Sequence, residues 1–312
     1  MKICFIGASG HVHQTYTEMK TVPDVTFSGY APGSVHEPAV FPPDASVPAF
    51  EDYLTMLDEV KPDYAVVSPV FGLTGGIILR CAQRGIHVFA EKPVASSLEE
   101  LSLVRKAVKE SGIRFCAMHF LRYDPAFYLG AQLVREGRIG DVVMLNAQKS
   151  YKYGTRPHWY HDPALYGGTI PWVGIHGIDW IARFTGKRFL SATALSVGAD
   201  PEMAALCQFQ LEGHVIAAVN LDFYRPAGAP THGDDRIRCA GTEGVLEVRE
   251  GRVILTDKNG VTEYTPESAP KLAAEFLLGH PCISPEEIFA VTEAAIAARM
   301  SAASGKTVMI GA

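Results

Sequence analysis

The 312-residue chain is long enough for two domains or one large one, and at 47% hydrophobic and 20% charged it can bury a sizeable core. Its formal net charge of -6 is spread along the sequence with no Lys/Arg block, which argues against duplex nucleic acid or an anionic membrane as a partner. The cysteines are scattered with no C-x-x-C pair, no apolar run reaches the ~18 residues of a membrane span, and Met1-Lys2 leads straight into a strand rather than a secretory leader; the expectation is a cytoplasmic protein in a reducing compartment.

In chain order, Ile3–Ile6 reads as a buried strand, followed by a glycine turn and a helix from Val12 to Lys20. Val25–Tyr30 is a second strand, and Ala31–Pro48 is a long proline-rich loop. Asp52–Val60 reads as helix, Tyr64–Ser68 as strand, and Gly75–Gln83 as a helix closed by Gly85. His87–Ala90 is the next strand. Ser97 with Glu100 forms a capping box that opens the helix Leu98–Glu110, and Arg114–Met118 is a further strand. Apolar strands separated by helices predict an α/β domain with a doubly wound parallel sheet over residues 1–119. Residues 120–312 change texture: a helix Ala126–Arg135, a strand Val142–Gln148, an aromatic and basic loop Tyr151–Tyr166, and a helix Ile175–Phe184. Alternating segments between Ala194 and Thr256 then predict an antiparallel meander. An amphipathic helix Pro285–Ser304, stopped by Gly305, precedes a last strand Thr307–Ile310. The second domain is therefore expected to be α+β with a large open, mainly antiparallel sheet, and helix 285–304 is a candidate to pack back near the first domain.

Two features carry chemistry. The segment Gly7-Ala8-Ser9-Gly10 joins the first strand to the first helix, where peptide N–H groups attract an anion and small side chains let a pyrophosphate approach. Against G-x-G-x-x-G, Ser9 and Val12 stand where glycines are expected. His11 flanks the turn as a candidate phosphate donor, and Ser68 closes the third strand. No acid or arginine ends the second strand in Phe27–Ser34, so both NAD and NADP stay open, with Ser34 or His36 able to bond either. The second feature is Ala90-Glu91-Lys92-Pro93, at the carboxyl end of the fourth strand, where open α/β sheets bind ligands. A lysine desolvated there has its pKa drawn down toward the range useful for proton transfer.

Taken together these residues resemble the Gfo/Idh/MocA oxidoreductases, the group of glucose–fructose oxidoreductase and inositol dehydrogenase. The specific marks are Glu91-Lys92-Pro93, Leu121-Arg122-Tyr123-Asp124-Pro125, and Gly167-Gly168 followed by Gly174-Ile175-His176-Gly177-Ile178-Asp179. The resemblance implies a Rossmann domain carrying NAD or NADP, with Gly7, Ala8, Ser9, Gly10, His11, Ser34, Ser68, Glu91 and Lys92 as cofactor contacts. It further implies a polyol, sugar or cyclitol site between the domains, catalytic roles for Lys92 and His176, and a homodimer or homotetramer built through the open sheet. The family's aspartate four residues before the histidine is Trp172 here, which removes a carboxylate and adds a ring able to stack. Asp179 reads as bonding locally or to the other domain.

Aromatic rings with nearby donors in Tyr151–Tyr166 suit a carbohydrate or carboxylate-bearing substrate, and Arg156, His158 and Tyr123 are candidate substrate contacts with Trp172 and His176. Oligomer contacts would explain the same loop. His158 and His161 have metal spacing only if the loop is helical, which Pro157 and Pro163 oppose, so no metal is expected. The leading expectation is an NAD(P)-dependent oxidoreductase of a sugar- or cyclitol-like alcohol. The alternatives are an enzyme that keeps its nicotinamide as an internal hydride store, and a non-catalytic dinucleotide-binding regulator.

Overall fold

The computed structural model describes residues 1–198, 201–280 and 282–311. In chain order β1 (Lys2–Ile6), α1 (Val12–Met19), β2 (Thr26–Ala31), α2 (Tyr53–Val60), β3 (Tyr64–Val67), α3 (Thr74–Ala82), β4 (His87–Ala90), α4 (Leu98–Ser111) and β5 (Phe115–Ala117) alternate. The strands form one parallel sheet in the order β2-β1-β3-β4-β5. β3 is buried throughout, as a strand covered by helices on both faces must be. The chain clusters into two units, the first comprising Met1–Met118, Asp162–Gly167 and Lys271–Thr292.

Local chemistry sets these elements. Asp52 caps α2 by accepting from Thr55 N at 2.7 Å. Ser97 caps α4, but the Glu100 carboxylate reaches back to Ser96 N at 2.7 Å, one residue earlier than the reciprocal box places it. The proline-rich loop is pinned rather than loose. Tyr30 N donates to Pro48 O and Phe50 N to Tyr30 O, both at 2.8 Å. Phe41 is fully buried with its ring 4.3 Å from that of Phe5, and Tyr16 Oη donates to Asp44 at 2.6 Å.

The chain continues through α5 (Pro125–Arg135), β6 (Val142–Tyr151), α6 (Pro163–Tyr166), α7 (Ile175–Thr185), β7 (Phe189–Val197), β8 (Ala204–Leu211), β9 (Ile216–Asp222), β10 (Gly233–Gly241), β11 (Gly244–Arg249), β12 (Arg252–Asp257), β13 (Gly260–Tyr264), α8 (Leu272–Leu278), α9 (Pro285–Ser304) and β14 (Val308–Met309). The second sheet runs β13-β12-β11-β10-β6-β9-β8-β7-β14. It is mainly antiparallel but not the expected meander: β6 inserts at its centre, antiparallel to β10 and parallel to β9. That placement also explains why β6 runs to Tyr151, three residues past its expected end. The sequence reading had no strand at β13 and no helix at α8. The amphipathic reading of α9 also fails over Ala294–Ala298, where every residue is buried, as in a helix covered on all sides.

The helices α5 and α7 lie against one another, with the rings of Phe127 and Trp180 stacked at 4.1 Å. Gly177 brings α7 close to β9, since a Cβ there would come within 2.7 Å of Val219 Cγ1. Asp179 ties α7 to the turn Phe120–Tyr123: it accepts from Arg122 Nε at 3.1 Å, and His119 Nδ1 lies 3.7 Å away. Arg122 and Asp179 are 3% and 1% exposed, so each charge depends on the other. Asp179→Ala takes this carboxylate away from the buried Arg122 guanidinium. The expected loss is about 3–5 kcal/mol of unfolding free energy, read as a lower urea midpoint; an unchanged midpoint would show the pair to be dispensable.

Candidate functional site

In the first unit the site is built where β1, β3 and β4 end. Gly7 follows β1 at φ 79°, and a Cβ there would lie 2.6 Å from the Ser68 carbonyl, so only glycine fits. Ser9 N donates to Ser68 O at 2.8 Å, and Ser68 Oγ returns a bond to Ser9 O at 2.5 Å. Ser68 thus shapes the loop from below. Glu91, fully buried after β4, accepts from His11 N at 2.6 Å, from His11 Nδ1 at 3.0 Å and from Lys92 N at 3.0 Å. Burial would push this carboxyl up, but His11 and then Lys92 outweigh it and hold it below the usual range. Lys92 itself is 2% exposed, directly beyond the strand end. The sequence-predicted residues Gly7, Ala8, Ser9, Gly10, His11, Ser68, Glu91 and Lys92 therefore gather at one edge of the parallel sheet. His11 meets Glu91 through both its backbone N and its Nδ1.

One residue was missed. Glu37, in the proline-rich loop, sends its carboxylate back to accept from Ala8 N at 3.0 Å, Ser9 Oγ at 3.2 Å and Gly33 N at 2.8 Å. Burial raises its pKa, against the pull of these donors. Glu37 stands six residues beyond the end of β2 and ties the proline-rich loop to the glycine loop. The usable signal was that Glu37 is the first carboxylate after that strand. Ser34 lies beside it and holds the turn, its carbonyl accepting from Glu37 N and its hydroxyl from His36 N.

In the second unit, Trp172 lies in a π-helical turn, Ile170–Gly174, that runs directly into α7. Trp172 and His176 are consequently four residues apart on one continuous helical path, 9% and 2% exposed. Tyr123 stacks on Tyr128 at 5.8 Å. His158 is exposed in a 3-10 turn, with its ring 5.9 Å from that of His161. Arg156 sits among the rings of Tyr153, Tyr160 and Phe223. Among the described residues no group of three or more His, Cys, Asp and Glu could hold a metal, and no helix is long and apolar enough to cross a membrane.

The positive φ of Gly7 at the strand-to-helix turn, with the N-terminus of α1 behind it and no side-chain cap on that helix among the described residues, fits a dinucleotide. Residues 1–119 match the oxidoreductase family with an NAD-binding Rossmann fold, and residues 130–247 match the GFO/IDH/MocA C-terminal domain. The chain belongs to the Gfo/Idh/MocA family, and residues 1–119 are its NAD-binding domain. It is 32% identical over 235 residues to the scyllo-inositol 2-dehydrogenase (NAD(+)) of Bacillus subtilis, covering 70% of this chain and 65% of that one. It is 28% identical over 112 residues to the 2,7-anhydro-N-acetylneuraminate hydratase of Escherichia coli, covering 35% of this chain and 30% of the relative. A solved Thermotoga maritima structure superposes with a TM-score of 0.93 at 39% identity, covering 99% of this chain and 100% of its own.

Proposed function

We propose that this protein is an NAD(P)-dependent oxidoreductase that moves hydride between nicotinamide and a sugar-, polyol- or cyclitol-like alcohol or its ketone. The observation that carries this reading is Lys92: a nearly buried ammonium at the ligand-binding edge of a parallel sheet, next to a buried carboxylate that also fixes the glycine loop. Nicotinamide, when bound, supplies the hydride acceptor or donor. Lys92 handles the hydroxyl proton, and His176 is the second acid/base group. Lys92→Ala should abolish turnover of a polyol panel, followed at the reduced-nicotinamide absorbance band, with little loss of cofactor affinity. Turnover at the wild-type rate would remove Lys92 from the reaction.

Glu37 sets the choice of cofactor on this reading. Its carboxylate, bonded to Ala8 N and Gly33 N beside the glycine loop, is the group that accepts from the adenosine ribose hydroxyls on this reading, and its charge repels a 2′-phosphate, which favours NAD. Glu37→Gln is expected to cut the kcat/KM preference for NAD over NADP by roughly tenfold or more. A preference unmoved by that change would contradict the assignment.

A second reading keeps the nicotinamide as an internal hydride store for net elimination or epimerisation. It is favoured by Trp172, which stands where the family resemblance expects a carboxylate, and by a relative named as a hydratase. Cofactor that co-purifies and is never exchanged, with no net change in reduced nicotinamide, selects it.

We further infer a homodimer or homotetramer built on the open face of the large sheet. Leu195 of β7 and Leu206 of β8 are direct cross-strand partners and are 69% and 59% exposed; Val197, Ile216 and Met309 add to the same apolar surface. Leu206→Glu should lower the mass measured by light scattering to that of a single chain, whereas a monomeric wild-type protein would refute the interface.

A further inference from the structure

The loop after β6 carries more positive charge than its surroundings neutralise. Lys149 is matched by Asp235, and Asp234 is taken by Arg236 at 2.7 Å and Arg225 at 3.4 Å. Lys152 Nζ donates to the Ala229 carbonyl. Arg156 donates to the Lys152 carbonyl at 3.3 Å. Among the described residues neither Lys152 nor Arg156 has a carboxylate partner. A half-buried guanidinium without a counter-ion is costly unless something else stabilises it. Here three rings do so: Tyr153 at 5.8 Å, Tyr160 at 5.4 Å and Phe223 at 5.5 Å. Tyr153 meets Phe223 edge-on at 5.3 Å, so the cage is built from packed parts. The Arg156 Nε and the Tyr153 hydroxyl are both buried with no hydrogen-bond partner among the described residues. Nearby, His232 is pushed down by burial and then by these same cations, Arg156, Lys149 and Lys152.

We propose that Arg156, held by Tyr153, Tyr160 and Phe223, is the anchor for a carboxylate, and that the substrate is an acidic sugar or polyol of the aldonate or uronate class. The rings hold the guanidinium, and Nη1 together with the Nη2 hydrogen that Lys152 O does not take is left for a carboxylate, while Lys152 adds charge but no planar match. The Tyr153 hydroxyl supplies a further donor. This inference rests on the oxidoreductase reading above and narrows its substrate class.

The test compares the protein with saturating NAD against matched pairs: D-gluconate with D-glucitol, D-galactonate with D-galactitol, and D-glucuronate with D-glucose, with D-glucose 6-phosphate as a second kind of anion. Binding is measured by calorimetry and oxidation by reduced-nicotinamide absorbance, for the wild type, Arg156→Gln and Arg156→Lys, with thermal midpoints as the folding control. Expected is an acid that binds better than its neutral counterpart, a preference that falls roughly tenfold or more in Arg156→Gln and is partly restored in Arg156→Lys. Wild-type preference for neutral members overturns the proposal even if Arg156→Gln fails to fold, and turnover of those members would leave the oxidoreductase reading standing. Tighter binding of glucose 6-phosphate than of any carboxylate overturns the carboxylate assignment. An acid that binds through Arg156 but is never oxidised keeps the anchor and sinks the oxidoreductase reading. Absence of binding by the whole panel overturns the anchor.

Discussion

Glu91 is the side chain on which the first unit's site depends. A carboxylate with no access to water must be satisfied by charge and donors, and here the partners come from two separate strand ends. One is the backbone and ring of His11, which opens α1; the other is the backbone of Lys92, which follows β4. The same group therefore fixes the glycine loop and the lysine in one frame. Its negative charge also offsets the cost of burying the ammonium beside it. The Gly10 position belongs to this constraint: a Cβ there would collide with the Glu91 carboxylate, so the loop's glycine leaves room for the carboxylate as well as for a ligand.

The second unit uses the same physics with different partners. Asp179 and Arg122 neutralise each other between α7 and the turn before α5. Lys149 on β6 does the same with Asp235 on β10, and burial pushes the Lys149 ammonium down to about 8 and the Asp235 carboxyl up. Lys149 also lies 4.2 Å from the Tyr151 ring centroid and 5.3 Å from that of Trp180, so its charge is held by rings as well as by an acid. Buried pairs of this kind add little net stability compared with apolar packing, but removing one member leaves the other uncompensated. They fix where α7 and the central strand sit, and hence where His176 and Arg156 start from.

The parallel domain was legible because its signals are local. β4 ends where the apolar run ends, and Ser97 announces α4 by a bond to its own third residue. Leu101, Val104 and Val108 then space the buried face of α4 by threes and fours. What was lost depends on distant pairing. Nothing in Val142–Tyr151 tells which strands will flank it, so its central place in the nine-stranded sheet could not be read. β13 escaped because Gly260–Tyr264 is an exposed edge strand with no apolar alternation. Glu37 was missed because its role depends on a loop that Tyr30, Phe41 and Tyr16 fold back onto the sheet. Arg156 was legible as a substrate candidate. Its cage was not, because Phe223 lies 67 residues away by numbering (223 minus 156).

Trp172 poses the remaining chemical question. A carboxylate one helical turn before His176 would raise the imidazole's affinity for a proton and fix its tautomer. An indole does neither; its N–H can only donate, and its bulk excludes water from the neighbouring turn. Both residues are almost fully buried on a continuous helical path, and the π-turn widens the helix where the large ring is accommodated. Position 172 thus presents His176 with a ring and a donor where the family pattern puts an acceptor.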